Sequence, residues 1–154
     1  KPYYVEKGGF NVGNKGTVTH NAVAYSLSIA CNHCDKPACV DVCPTGAMQK
    51  DAKTGIVNND QTLCIGCGNC ADACPYDAPT INDGLEKSFK CDFCKDLLDK
   101  GETPVCVAGC PLGALDCGEI TALRKKYGKT ADVYGLPESD ETVPNLVLKV
   151  HKGA

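Results

Sequence analysis

The stretch CIGCGNCADACP, residues 64–75, places Cys64, Cys67, Cys70 and Cys74 at the spacing C-x2-C-x2-C-x3-C and follows the last with Pro75. Three sulfurs at such short intervals can grip one object. The fourth lies beyond a Cys-x3-Cys turn that proline terminates, and is aimed elsewhere. Working outward, the same layout recurs on both sides. Upstream, Cys31, Cys34, Cys39 and Cys43 read C-x2-C-x4-C-x3-C-P, and downstream, Cys91, Cys94, Cys106 and Cys110 read C-x2-C-x11-C-x3-C-P. Every group closes on the same ending, CPTGA, CPYDA or CPLGA, so this is an internal repeat. Of the 13 cysteines only Cys117 stands outside it.

Three chemistries use cysteine this densely. Disulfide frameworks suit small secreted chains and do not require repeated C-x2-C triplets. Zinc asks for one tetrahedral set per ion, most often two C-x2-C pairs. A [4Fe–4S] cube fits the triplet-plus-outlier layout best, and the run at 64–75 is the ligand run of bacterial ferredoxins, whose fourth cysteine serves the other cluster of a pair. Reciprocity then sets the expected pairing. Cys31, Cys34 and Cys39 hold a first cluster completed by Cys74, and Cys64, Cys67 and Cys70 hold a second completed by Cys43. By the same logic Cys91, Cys94 and Cys106 hold a third, incomplete within these 154 residues, while Cys110 is a ligand of a fourth.

Composition agrees with a protein held together by bound metal. With no Trp, three Phe and six Tyr, a side-chain core would be thin. A formal charge of −3 argues against a nucleic-acid partner or an acidic membrane surface. No run approaches the roughly 18 apolar residues of a membrane span. The nearest candidate for a signal peptide, AVAYSLSIAC at 22–31, is short and internal. No Ser/His/Asp set, Cys–His nucleophile pair or acidic dyad is present, so no catalytic residues are expected.

Residues 48–63 predict a hairpin between the first two groups, and CVDVC and CADAC predict short helical turns. GEITALRKKYG, 118–128, predicts an amphipathic helix with Ile120, Leu123 and Tyr127 on one face, ended by Gly128. Residues 129–154 read as an extended tail or partner arm. The fold class expected is α+β and ferredoxin-like, with tandem bacterial-type [4Fe–4S] units of short strands and short helices. Its divisions are an N-terminal insertion or loop segment (1–27), a two-cluster unit (28–84), half of a second unit (85–117), and a C-terminal helix with an extended arm (118–154).

AYSLSIACNHCDKPACVDVCPTGAM, CIGCGNCADACPYDAP and KCDFCKDLLDKGETPVCVAGCPLGALDCGEITALRKKYG together resemble the iron–sulfur electron-transfer subunit of the dimethyl sulfoxide reductase family of molybdoenzymes. The resemblance is dense over about 20–128 and extends to PNLVLK in the tail. It implies four cysteine groups pairing first with last and middle with middle. The present chain is then expected to be a copy lacking the first group, an expectation that its start at Lys1 rather than Met suits. It further implies up to four [4Fe–4S] clusters, two of them complete from this chain. The implied partners are a molybdopterin catalytic subunit and a quinol-oxidising membrane anchor, and the implied location is peripheral, on the outer (periplasmic) face of the cytoplasmic membrane. Some relatives carry tryptophan at the position of Cys70 and hold a [3Fe–4S] cluster there; Cys70 implies a full cube. The rival functions are a free-standing polyferredoxin, or the iron–sulfur subunit of a related hydrogenase, formate dehydrogenase or polysulfide reductase.

The remaining candidates take plainer readings. Pro37 shapes its ligand loop. His33, inside CNHC, is expected at the surface, with a hydrogen bond near the cluster as the alternative. His20 and His151 have no companions. Arg124, Lys125 and Lys126 form a solvated helix face. GGFNVGNKG (8–16) is a flexible loop, since neither it nor GKT at 128–130 has phosphate-loop spacing. Cys117 is expected as a small buried hydrophobe, with a substitute-ligand role for the third cluster as the alternative.

Overall fold

Gly8 and Asn21 shape the N-terminal segment. Strands β1 (Pro2–Lys7) and β4 (Val23–Ser28) pair antiparallel from Pro2 opposite Ser28 to Lys7 opposite Val23. Beyond them β2 (Phe10–Val12) pairs with β3 (Val18–His20), so one long hairpin continues through a bend. At the bend Gly8 has φ +84°, and a Cβ there would stand 2.1 Å from the Asn21 carbonyl oxygen. Asn21 closes the bend by accepting the Gly9 N–H on its side chain at 2.9 Å. The loop expected over 8–16 is thus the far half of a β-arm, its strand signal hidden by the flanking glycines. This computed structural model describes residues 2–149; Lys1 and 150–154, including His151, lie outside the described residues.

After the arm, each Cys-x3-Cys segment winds into one helical turn. These are α1 (Ala38–Asp41) and α2 (Asn69–Asp72). Pro44 and Pro75 follow and cannot continue the helix, which sends the chain into hairpins. The first hairpin is β5 (Met48–Lys50) with β6 (Val57–Asn59), where the sequence predicts one, and the second is β7 (Thr80–Asn82) with β8 (Lys87–Phe89). Two more single turns follow, α3 (Lys95–Leu98) and α4 (Val105–Ala108). Among the described residues, four two-stranded sheets and short helices give an α+β architecture. Its contiguous apolar cluster is small: Cys39, Met48, Val57 and Cys70, with Val40 and Cys43 packed against them. No described helix is long and apolar enough to cross a membrane.

The predicted amphipathic helix is α5 (Ile120–Tyr127), and Gly128, at φ +98°, ends it. No residue of α5 is fully buried, and Tyr127 remains 37 % exposed. Its anchor is polar. The Asp116 carboxylate accepts from the Tyr127 hydroxyl at 2.6 Å and from Lys126 at 2.9 Å, so Lys126 is an ion-pair partner within its exposed face. Past α5 the chain does not extend away. Asp132 accepts the Ser139 N–H and hydroxyl at the start of α6 (Ser139–Thr142). The following residues then lie against the first cysteine loop, with Thr142 and Pro144 buried. The expected free arm is, over its described part, a strap bound to the domain.

The Asp116 anchor has a defined pH window. Hydrogen bonds from Tyr127, then Lys126 and the Cys117 N–H, hold its carboxyl at about 2. A depressed carboxyl stabilises fully above its ordinary value of 3.8 and ceases to do so as pH falls through the folded value. Relative to an unstructured peptide cleaved at the same pH, tryptic cleavage at Arg124–Lys126 is therefore expected to be equally slow from pH 8 to pH 6 in the native chain. In Asp116→Asn it is expected to be several-fold faster at every pH in that range.

Candidate iron–sulfur centres

In each group the residue before the second cysteine of the first Cys-x2-Cys pair is left-handed. His33, Gly66 and Phe93 have φ of +45°, +68° and +62°. This turn points a backbone N–H back at the first cysteine: the Phe93 N–H lies 3.4 Å from Cys91 Sγ, and His33 and Gly66 make the matching contacts to Cys31 and Cys64. The Cys-Pro endings repeat a second left-handed turn, at Gly46 (+66°), Asp77 (+49°) and Gly113 (+58°). Here N–H groups converge on the last cysteine of each group. Met48 donates to Cys43 at 3.5 Å, Ala78 to Cys74 at 3.5 Å and Ala114 to Cys110 at 3.3 Å. Such concave sets of backbone N–H groups favour anions, and a metal-bound thiolate is one.

The first two groups enclose two cavities. One, of about 380 Å³ including its mouth, is lined by Cys31, Cys34 and Cys39 together with Cys74. The other, of about 300 Å³, is lined by Cys64, Cys67 and Cys70 together with Cys43. The small core lies between them, with Val57 on the wall of the first and Met48 on that of the second. All 13 cysteines are free thiols, which removes the disulfide framework. Among the described residues no three His, Cys, Asp or Glu side chains converge on a single-ion position. Four sulfurs spread around a cavity suit a cluster better than one tetrahedral ion.

Electrostatics differ between the cavities. Burial pushes the Cys31 and Cys34 thiols up, and Cys39 up to about 12. Buried neutral thiols become thiolates only against a compensating cation, which iron supplies. In the second cavity burial also raises Cys64. The Ser88 and Gly66 N–H groups, the Asn59 side chain and Lys87 outweigh it, and the net shift is downward. Lysines brace the loops from outside. Lys50 donates to the His33 and Cys34 carbonyls at 3.2 and 2.7 Å, and Lys87 donates to the Cys64 carbonyl.

The third group lines neither cavity. Cys91 and Cys94 are half-buried, Cys106 is exposed, and Cys110 carries its N–H donors near the surface. Cys117 is half-buried and faces Cys106 and Asp116, so it belongs to this side of the molecule and not to the core. His33 departs from its expected surface position. It is 6 % exposed, its Nδ1 accepts the Val57 N–H at 3.0 Å, and its ring meets Phe93 edge-on at 5.3 Å. Ser88 is a residue that sequence reasoning missed. It is buried, with its N–H 3.4 Å from Cys64 Sγ and its hydroxyl 3.2 Å from Cys70 Sγ. Its polarity inside a strand, KSF, was the only signal.

Paired cysteine-lined cavities with N–H groups aimed at sulfur define an iron–sulfur protein of the ferredoxin type. Residues 22–120 match the family described as 4Fe-4S dicluster domain. The sequence is 48 % identical over 146 residues to the B subunit of anaerobic dimethyl sulfoxide reductase from Escherichia coli, covering 95 % of this protein and 71 % of that one. It is 46 % identical over 152 residues to the subunit of the same name from Haemophilus influenzae, covering 99 % and 74 %. Protein NrfC of Escherichia coli is 48 % identical over 92 residues, 59 % of this protein and 41 % of its own length. The present protein belongs to the dicluster family and, within it, to the family of anaerobic dimethyl sulfoxide reductase B subunits. It is an iron–sulfur electron-transfer subunit that carries [4Fe–4S] clusters and is not the catalytic subunit.

Two glycines in the second ligand loop separate backbone strain from collision. A Cβ on Gly66 would stand 2.1 Å from the Glu86 carbonyl oxygen in the β7–β8 turn, whereas one on Gly68, at φ +84°, would meet nothing within 4 Å. Gly68→Ala is expected to cost about 1–2 kcal/mol from the left-handed backbone alone. Gly66→Ala adds displacement of the hairpin and is expected to cost at least about 3 kcal/mol. Rates of bleaching of the visible cluster absorbance in guanidinium are expected to rank Gly66→Ala fastest, then Gly68→Ala, then native.

Proposed function

We propose that Cys31, Cys34, Cys39 and Cys74 hold one [4Fe–4S] cluster, and Cys64, Cys67, Cys70 and Cys43 a second. Cys91, Cys94 and Cys106 supply three ligands of a further cluster, and Cys110 is a ligand of a fourth. The observation that carries this assignment is the crossing of Cys43 and Cys74, each of which lines the cavity of the other group's triplet. Support for the third group is local: its Cys-x2-Cys pair and its Cys-Pro ending repeat both left-handed turns of the first two. On this reading residues 28–84 form a complete two-cluster unit and 85–117 half of a second, the two arranged as tandem ferredoxin-like units.

Each bound cluster supplies one-electron uptake and release. The protein's residues fix sulfur positions and aim N–H dipoles at the thiolates; Cys67 alone among the sulfurs of the first two sites is exposed. As a subunit, the protein relays electrons from a quinol-oxidising membrane anchor to a molybdopterin-containing reductase, with dimethyl sulfoxide or a related oxide as terminal acceptor. The names of its relatives support that substrate class. It works peripherally, on the outer face of the cytoplasmic membrane.

Paired substitutions test the crossing. Cys31→Ser and Cys74→Ser should each disturb the same cluster, so the double variant is expected to lose about four irons per chain and one electron paramagnetic resonance signal. Cys31→Ser with Cys43→Ser should lose about eight irons and two signals. Equal losses from the two double variants would overturn the assignment. In the assembled complex, clusters reduced by a quinol analogue are expected to reoxidise on addition of dimethyl sulfoxide, and to stay reduced if the acceptor class is wrong.

A further inference from the structure

The strap after α6 is fastened to the first cysteine loop at several points. The Lys36 N–H donates to the Thr142 carbonyl at 2.9 Å and the Asp35 N–H to the Val143 carbonyl at 2.8 Å. The Asn145 N–H donates to the Asn32 carbonyl at 3.1 Å, and its side-chain amide to the His33 carbonyl at 2.9 Å and to Asp35 Oδ1 at 3.0 Å. Val143 is held at φ +49°, a conformation costly for a β-branched residue and kept only where its surroundings over-determine it. Pro144, fully buried, follows it. These contacts fix the residue before the strained one, Thr142, which is 4 % exposed and lines the cavity of Cys31, Cys34, Cys39 and Cys74.

Thr142 Oγ1 is buried and closes no hydrogen bond. It shares the wall of this cavity with Cys34 and with Tyr76, which is itself buried. A buried hydroxyl left without a partner is costly, so its position calls for an acceptor in the cavity. Lys90 is tied to the Val57 and Cys91 carbonyls, and His33 Nδ1 to the Val57 N–H. Asn32 Nδ2 and His33 Nε2 are buried without a partner, but as donors they compete for an acceptor and do not supply one. Besides the Tyr76 oxygen, a thiolate at Cys34 is the acceptor that would satisfy the hydroxyl, and the charged one accepts more strongly.

We propose that Thr142 is a positioning residue for the first cluster: its hydroxyl donates to the Cys34 thiolate, and the strap of residues 139–145 is the device that delivers it. This rests on the ligand assignment made above. Donation to a ligand sulfur stabilises the more negative, reduced state, so the strap raises the potential of that one cluster. A C-terminal segment more than a hundred residues downstream thereby sets the electron affinity of a site built by the first cysteine group. In the second cavity the Ser88 hydroxyl lies 3.2 Å from Cys70 Sγ.

Thr142→Ser keeps the hydroxyl that Thr142→Ala removes, and Thr142→Val removes it while keeping the packed volume. Redox titration of the cluster-loaded full chain, followed by electron paramagnetic resonance, is expected to leave Thr142→Ser near the native potential. Thr142→Ala and Thr142→Val are expected to lower the reduced-to-oxidised ratio of one cluster about tenfold at fixed ambient potential, about 59 mV for a one-electron couple. The shifted signal must be the one that Cys34→Ser abolishes. Equal potentials in Thr142→Ser and Thr142→Ala, or a shift in the signal that Cys64→Ser abolishes, would overturn the proposal. If the hydroxyl-free variants load one cluster fewer, full loading of Thr142→Ser supports it and failure of Thr142→Ser overturns it. Cys34→Ser abolishing no signal would instead remove the ligand assignment itself.

Discussion

A left-handed residue in front of the second cysteine is the constraint on which the rest of this molecule depends. It turns an N–H toward the preceding sulfur and sets the direction from which the second sulfur arrives. Only Gly66 adopts it at no steric cost; His33 and Phe93 each carry a penalty of about 1–2 kcal/mol. Those two penalties are met together. The His33 ring packs edge-on against Phe93, and its Nδ1 takes up the Val57 N–H from β6. The strain of the first loop is thus held by the third group and by the first hairpin, which explains why a polar residue is buried so near the centre of a small core.

That core is better described as a partition than as an interior. Cys39 and Cys70 contribute to it from opposite cavities, with Met48 and Val57 between them. These few side chains separate two sites, which keeps their sulfurs close while excluding water from the space between. Little apolar area is buried in this way, and hydrophobic stabilisation scales with that area. The shortfall is consistent with a fold that relies on what its cysteines bind. It also explains the polar character of the remaining joints: Asp116 under α5, Lys50 over the first loop, and Asn145 in the strap.

Much of this was legible because the repeat is local. The Cys-x3-Cys turns, the hairpin at 48–63 and the helix at 120–127 follow from proline, glycine and apolar spacing within a few residues. The crossing of Cys43 and Cys74 is an expectation from the reciprocity of the spacing; Cys43 lines a cavity with Cys64, Cys67 and Cys70, and Cys74 one with Cys31, Cys34 and Cys39. What escaped sequence reading is non-local. Strands β2 and β3 are three residues each amid glycines and form only as the continuation of β1 and β4. The strap carries no apolar period; its hold on the first loop comes from backbone groups and one asparagine. His33 is polar and sits in a short loop, so nothing local separates burial from exposure, and only the arrival of Val57 and Phe93 decides it.

The third group shows how far local coding reaches. Gly113 and Phe93 give it the same two turns as its counterparts, and Cys110 collects the same fan of N–H donors, although Cys106 is exposed. The turns therefore do not require enclosure to form. A left-handed residue and a proline stand at the same offsets in each of them. Enclosure is a separate, tertiary feature, supplied to the first group by Cys74 and the strap and to the second by Cys43 and Ser88. Separating the two has a physical advantage. A locally ordered fan of N–H groups lowers the entropy cost of ordering a loop around a cluster, and the covering segment can set polarity and access without rebuilding the ligand geometry. Clusters with near-identical ligand turns can thus differ in electron affinity through the segment that covers each one.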